Sequence, residues 1–158
     1  MPGDLQGARL AFALTDRPEV QAQIEKEAQE HGIPINIGDN PAACTFQTAA
    51  TVRHGDLLIS VSTGGNSPAL AAAIRKELEL HYGPEYGELV KLLGEVRILT
   101  KEQHWSQEQN KLLVEQILQT NILTFLKNKD WHQLQAQLIE ILPQDMNIND
   151  IVQKVRGF

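Results

Sequence analysis

Two short segments of the chain hold the groups best suited to chemistry, and the first is a turn over residues 36–41, Asn-Ile-Gly-Asp-Asn-Pro. Asp39 is the only acidic residue in this turn, which follows an apolar stretch typical of a strand. Open α/β sheets place ligand-binding groups after their strands, and a carboxylate partly removed from water can act as a general base. An aspartate in such a turn can also simply stabilise its own loop. Both roles stay open for Asp39.

The second segment is a glycine-rich loop that runs directly into the start of a helix. Glycines expose backbone N–H groups, and the positive end of the helix dipole behind them attracts carboxylates or phosphates. The alternative is a tight strand-to-helix connection in which the last serine only caps the helix. A P-loop is excluded because no Lys follows the glycines at the required spacing. The loop residues are Ser62, Thr63, Gly64, Gly65, Asn66 and Ser67.

The pattern around these segments predicts an α/β fold. Residues 10–14 are apolar on both faces, which is typical of a buried parallel strand. Asp16 as N-cap and Pro18 in the first turn predict a helix that ends at Gly32, and residues 33–37 return as a second strand. This β-α-β unit is typical of the second half of a nucleotide-binding sheet.

The rest of the chain changes from strands to helices. Alternating residues over 46–52 and 57–61, joined at His54–Gly55, predict an antiparallel hairpin. A helix is expected to begin at Ser67–Pro68, and everything after Pro84 has helical periodicity.

Composition excludes several classes of protein. The net charge is −6 with scattered Lys and Arg residues, which argues against a nucleic-acid partner. No apolar run approaches the length of a membrane span, and the N-terminus does not resemble a signal peptide. Cys44 is the single cysteine, which suits a reducing compartment. The histidines lack metal-ligand spacing, so no metal site is predicted. We expect a soluble cytoplasmic protein.

The predicted sheet is incomplete. A strand that is apolar on both faces needs neighbours on both sides, yet this one begins near residue 10. The Gly-x-Gly-x-x-Gly fingerprint that receives a dinucleotide pyrophosphate is absent from the 158 residues. We expect either that the chain is truncated at its N-terminus or that a partner chain completes the sheet.

These segments resemble the precorrin-2 dehydrogenase family, the siroheme-synthase enzymes, some of which also insert iron. Residues 4–16 resemble its fourth sheet strand, and residues 36–41 resemble its Asn-x-x-Asp-x-Pro segment. Residues 52–57 and 61–70 resemble its dimerisation hairpin and its substrate loop. One departure is that the usual Phe-Ile-x-Pro-Ala reads Phe-Gln-Thr-Ala-Ala over residues 46–50, which makes the segment unusually polar.

The resemblance implies three regions. Residues 1–43 would be the C-terminal part of an NAD-binding Rossmann-like domain, residues 44–83 the dimerisation and substrate-loop segment, and residues 84–158 a helical C-terminal domain. It also implies a homodimer.

The resemblance further implies a reaction and the residues that perform it. Precorrin-2 would be oxidised to sirohydrochlorin with NAD, Fe²⁺ entering only as a possible substrate of a chelation step. Asp39 would be the catalytic residue, the loop over residues 62–67 would bind the tetrapyrrole, and Thr15 and Asp16 would contact the cofactor. An alternative from another class is a dimeric tetrapyrrole-binding module without its own cofactor, or an inactive fragment, since the glycine fingerprint is missing.

Overall fold

The computed structural model describes residues 3–38 and 40–157, so Asp39 lies outside the described residues. The chain divides into two compact units. The first comprises Met1–Ala50 and Ser60–Arg75, and the second comprises Thr51–Ile59 and Lys76–Phe158. Each unit has its own hydrophobic core. The boundaries of these two units are not those of the three regions expected from the sequence, and the division into three regions stays a prediction.

The first unit contains the predicted β-α-β arrangement. Strand β1 (Ala11–Ala13) and strand β2 (Ile35–Ile37) pair in parallel, with Ala11 opposite Ile35 and Ala13 opposite Ile37. Helix α1 (Pro18–His31) connects them and ends at Gly32, whose φ of 63° is the left-handed conformation that glycine adopts without strain. Alanine and isoleucine side chains from the strands and α1 form the core of this unit.

Two details of this unit differ from the sequence prediction. Asp16 is not the N-cap of α1; Arg17 is, in an extended conformation that a residue before proline favours. The strand over residues 10–14 is also not buried on both faces. Phe12 is 48% exposed, and Leu10 and Leu14 are exposed beside it. Within the described residues the sheet consists of β1 and β2 alone, with α1 packed against it, and the other surface of β1 is covered only in part, by the ring of Phe46 against Phe12.

A hairpin follows, formed by strand β3 (Ala50–His54) and strand β4 (Leu57–Val61). Gly55 in the turn has a φ of 57°, which explains the glycine. The hairpin is confirmed, but its first strand begins at Ala50 rather than at Phe46. Helix α2 (Pro68–His81) comes after β4, as the Ser67–Pro68 pair predicted.

Five further helices build the core of the second unit: α3 (Pro84–Glu102), α4 (Gln107–Leu118), α5 (Ile122–Asn128), α6 (Trp131–Ile141) and α7 (Ile148–Arg156). Three of these helices begin with a side-chain cap: Ser106 forms a capping box with Gln109, and the Asp130 and Asn147 side chains each accept an N–H three residues ahead. Among the described residues, no helix is both long and apolar enough to cross a membrane.

Within the second unit, one glycine sets how closely α3 approaches the hairpin. A Cβ at Gly87 would lie 2.5 Å from the carbonyl oxygen of His54, so only glycine fits there. The next residue, Glu88, is buried and forms an ion pair with Lys129 at the end of α5. The glycine and the ion pair therefore join the hairpin and α5 to the same turn of α3.

We predict that replacing a core leucine of the second unit destabilises it strongly. Leu126 is 0% exposed, and Leu126→Ala should lower the free energy of unfolding by about 2–5 kcal/mol through lost burial and a cavity. Leu112→Ala is the control, because Leu112 is 56% exposed and its truncation should have little effect. Urea titration followed by circular dichroism measures both. Equal losses in the two variants would contradict this account of the core.

Candidate functional site

A cleft of about 340 Å³ lies within the first unit, and both segments singled out from the sequence line it. One wall is the end of β2 over residues 36–38, together with Pro41 and Cys44. The opposite wall is formed by Ser62, Thr63 and Gly65 of the glycine-rich loop, and residues 47–50 lie between them. The structure thus brings together two segments that are more than twenty residues apart in the sequence.

The wall at the end of β2 is held by side chains that take the place of a neighbouring strand. Ile35 and Ile37 turn their backbone groups away from β1, and the following segment satisfies them. The Thr45 hydroxyl accepts the N–H of Ile35 at 2.7 Å, and the Cys44 sulfur accepts the N–H of Ile37 at 3.1 Å. The Cys44 thiol also lies 3.3 Å from the carbonyl oxygens of Ile37 and Asn40. These contacts fold the chain back across the end of β2 and so shape this side of the cleft.

The glycine-rich loop is a tight turn whose geometry requires its glycines. The N–H of Asn66 donates to the carbonyl of Thr63 at 3.1 Å, and the two residues between them, Gly64 and Gly65, have φ of 60° and 78°. Two successive positive φ angles are typical of a type I′ turn, which non-glycine residues rarely adopt.

The polar side chains of this loop mostly serve the loop itself. The hydroxyl of Ser62 accepts the N–H of Gly64 at 3.3 Å, and the hydroxyl of Thr63 accepts the N–H of Ser67 at 3.1 Å. Ser67 caps α2, since its hydroxyl accepts the N–H of Leu70 at 3.3 Å. Each of these hydroxyl groups still has an O–H to donate. Among the described residues, the N–H of Gly65 has no hydrogen-bond partner, which leaves it available to a ligand at the cleft wall.

The cleft is polar but carries no charged side chain among the described residues that line it. Its donors are hydroxyl, carboxamide and backbone N–H groups close to the start of α2. An anion bound here would be stabilised by neutral hydrogen bonds and by the positive end of the α2 dipole. The described residues also bring no three His, Cys, Asp or Glu side chains together as metal ligands.

Thr15 and Asp16 are not among the residues that line the cleft. They follow β1, at the carboxyl end of the two parallel strands, where ligands of α/β sheets bind. The Thr15 hydroxyl accepts the N–H of Arg17 at 3.3 Å, and its carbonyl accepts a hydrogen bond from the Gln21 side chain at 2.6 Å. Asp16 is exposed. The predicted cofactor role of Thr15 and Asp16 therefore stays a prediction, and the 158 residues contain no Gly-x-Gly-x-x-Gly fingerprint for a pyrophosphate.

The two parts of the chain that contain the Asn-x-x-Asp-x-Pro segment and the glycine-rich loop are similar to known protein families. Residues 1–50 match the family described as "Putative NAD(P)-binding", and residues 54–81 match the family described as "Sirohaem biosynthesis protein central". The siroheme synthase of Azotobacter vinelandii is 36% identical over 117 residues, which are 74% of this chain and 25% of that protein. The siroheme synthase of Pseudomonas putida strain F1 is 39% identical over 116 residues, which are 73% of this chain and 25% of that protein.

The chain is thus similar to siroheme synthases over about three quarters of its length. It spans about a quarter of the length of the siroheme synthases that it matches. Its fold is also that of a solved structure, the precorrin-2 dehydrogenase SirC, with a TM-score of 0.65 over 100% of this chain and 68% of that one, at 18% identity. The fold class expected from the sequence, a partial Rossmann-type sheet followed by a hairpin and helices, is confirmed.

Two contributions to the cleft were missed by sequence reasoning. The sequence indicated no structural role for Cys44, whereas its thiol bonds the backbone at the end of β2. Gln47 and Thr48 were assigned to the first hairpin strand, whereas they precede β3 and line the cleft. The polar departure from the Phe-Ile-x-Pro-Ala motif of the siroheme synthase family was the signal that these positions differ.

We predict that the Cys44 thiol stabilises the end of β2 locally. Cys44→Ala removes the acceptor for the Ile37 N–H, a loss of about 1 kcal/mol. Hydrogen exchange of the Ile37 amide, followed by NMR, should therefore accelerate by about five- to tenfold. Cys44→Ser keeps a donor and an acceptor at this position and serves as the matched control. An unchanged exchange rate in the alanine variant would show that the thiol does not hold the strand end.

Proposed function

We propose that this chain is the substrate-binding and proton-accepting part of a precorrin-2 dehydrogenase of siroheme biosynthesis, which oxidises precorrin-2 to sirohydrochlorin with NAD. The observation that supports this most is that described residues of the Asn-x-x-Asp-x-Pro segment and of the glycine-rich loop line the same cleft. The similarity to siroheme synthases suggests the substrate class. With one cysteine and no membrane span among the described helices, we place the protein in the cytoplasm.

The substrate's chemistry matches the groups of the cleft. Precorrin-2 carries carboxylate side chains around a macrocycle, and its oxidation transfers a hydride to NAD⁺ and releases a proton. In our proposal a peripheral carboxylate binds the part of the glycine-rich loop that lines the cleft, through the O–H groups of Ser62 and Thr63 and the N–H of Gly65 near the start of α2. Gly64, Asn66 and Ser67 would hold the shape of this loop.

The proton would go to Asp39. Its neighbours along the chain, Gly38 and Pro41, line the same cleft, so the segment that contains this carboxylate borders the site. A carboxylate near a bound macrocycle and partly shielded from water is suited to take a proton from a ring carbon as the hydride leaves.

The residues of this chain support the cofactor part of the proposal less well than the substrate part. A nicotinamide dinucleotide, when bound, accepts the hydride, and Thr15 and Asp16 at the end of β1 are the groups we propose to contact it. The pyrophosphate fingerprint is absent from these 158 residues. That absence favours a second candidate function, a tetrapyrrole-binding module without its own cofactor. Chelation of Fe²⁺ as a substrate is a further activity that some members of the family have, and Asp39 would be its base.

Separate titrations of the purified chain with NAD⁺ and with sirohydrochlorin decide between these functions. Binding of both supports the dehydrogenase, and binding of sirohydrochlorin alone supports the module. Binding of neither contradicts both candidates and would identify an inactive fragment. Isothermal calorimetry for NAD⁺ and the visible absorbance of the macrocycle for sirohydrochlorin give independent signals.

We predict that Asp39 is required for turnover. In a preparation that oxidises precorrin-2, Asp39→Ala should lower the rate by about 10²–10⁴-fold, the range for losing a general base. Asp56→Ala, which removes an exposed acid in the hairpin turn, is the matched control and should retain the rate. NADH formation measures both. A rate for Asp39→Ala within threefold of the unsubstituted chain would exclude Asp39 as the base.

We also infer a homodimer assembled through the hairpin and α2. Within the described residues β3 pairs only with β4, so the hairpin keeps open edges, and an isolated hairpin is marginal in water. Leu58 in β4 and Leu70 and Leu80 in α2 are exposed, Leu80 by 86%. A second copy would bury these side chains through a self-complementary two-fold contact.

Light scattering at micromolar concentration should therefore give the mass of a dimer. Leu58→Lys places a charge on the proposed interface and should shift the mass towards the monomer. Ile139→Lys is the control, because Ile139 is exposed on α6 rather than on the hairpin or α2. A monomer from the unsubstituted chain would refute this interface and direct attention to the open strand over residues 10–14.

A further inference from the structure

We propose that Gln47 is a substrate-binding residue whose carboxamide donates a hydrogen bond to a peripheral carboxylate of the tetrapyrrole, beside the glycine-rich loop. This inference rests on the proposed function and assigns a further residue to the same cleft. The described lining of the cleft contains no basic residue, and Gln47 would supply an uncharged hydrogen-bond donor instead.

The first observation is where the side chain lies. Gln47 lines the cleft, and its carboxamide lies directly over the backbone of Gly65. A Cβ at residue 65 would be 2.5 Å from the Gln47 Nε2 atom and 3.1 Å from its Oε1 and Cδ atoms. The absence of a side chain at Gly65 is therefore what allows the Gln47 carboxamide to reach the anion-binding loop.

The second observation is that this carboxamide is free. Within the described part of the chain, Gln47 makes no hydrogen bond, and its side chain is exposed to solvent. The other carboxamide at the cleft wall, Asn36, is already committed, since its Nδ2 donates to the carbonyl of Phe46 at 3.1 Å. Gln47 therefore offers two N–H donors that cost no internal hydrogen bond when a ligand takes them.

The third observation is the charge of the site. The described residues that line the cleft include no Lys, Arg or His, although the proposed ligand is strongly acidic. Recognition of a carboxylate must then depend on neutral donors, and each of them matters more than it would beside an arginine. The unpartnered N–H of Gly65 and the adjacent Gln47 carboxamide form a pair of such donors on one wall.

The experiment is a titration of the full chain and three variants with sirohydrochlorin, followed by absorbance. Gln47→Leu removes the donors and should weaken binding by about tenfold, the loss expected for a hydrogen bond to a charged group. Gln47→Glu adds a like charge and should weaken binding further, whereas Gln47→Lys should bind at least as tightly as the unsubstituted chain. Gln116→Leu, an exposed glutamine on α4, is the matched control and should not change the affinity.

Parallel titrations with NAD⁺ distinguish a tetrapyrrole carboxylate from a cofactor phosphate as the anion. The inference is overturned if Gln47→Leu binds sirohydrochlorin within twofold of the unsubstituted chain, if Gln47→Glu equals Gln47→Leu, or if only NAD⁺ binding changes. When the unsubstituted chain binds sirohydrochlorin and the variants do not differ, this inference fails and the proposed function stands. When the unsubstituted chain binds no sirohydrochlorin, both fail. Circular dichroism of every variant verifies the fold.

Discussion

The outer edge of β2 is the feature on which the candidate site depends. A strand edge left bare exposes N–H and C=O groups that need partners, and here the side chains of Thr45 and Cys44 supply them. Because those residues must reach back to Ile35 and Ile37, the chain turns sharply after β2 and returns along it. The cleft is the space that this return leaves between the strand end and the glycine-rich loop. The same chain reversal therefore provides hydrogen-bond partners for the backbone of β2 and forms one wall of the cleft.

The two glycines of the loop make a second constraint that acts on the same space. Their positive φ angles form the turn, and the missing side chain at Gly65 leaves its backbone open to the Gln47 carboxamide. The cleft that results is polar and free of charged groups in its described lining. An anion in such a cleft would meet several uncharged donors rather than one strong ion pair, which suits the ligand with several carboxylates that we propose.

Strand β1 is more exposed than its sequence pattern predicts. Phe12 and its exposed neighbours belong to a strand whose pattern is that of a sheet interior, while the described sheet has two strands. The similarity of residues 1–50 to a family described as "Putative NAD(P)-binding" and of the fold to that of SirC agrees with the sheet-interior pattern of this strand.

The sequence by itself determined the β-α-β unit, the hairpin, the glycine-rich loop with its capping serine, and the helical second half. Each of these depends on local chemistry: apolar periodicity, proline and glycine at element ends, and side chains that cap the nearest N–H groups. It also identified the Asn-x-x-Asp-x-Pro turn as a candidate for chemistry. Asp39 remains a prediction from that motif.

Only the tertiary structure decided that this turn and the loop line one cleft, because strand pairing and chain reversal are non-local. It also decided the start of β3. Alternation predicted a strand from Phe46, but Phe46 packs edge-to-face against Phe12 at 5.3 Å, and Gln47 lies over Gly65. Contacts with residues more than fifteen positions away overrode the local pattern there. The role of the Cys44 thiol depends on the chain reversal after β2, which brings it to the backbone of Ile37 and Asn40. An alternating pattern shows which side chains are apolar. It does not show which backbone N–H and C=O groups elsewhere in the fold lack a hydrogen-bond partner.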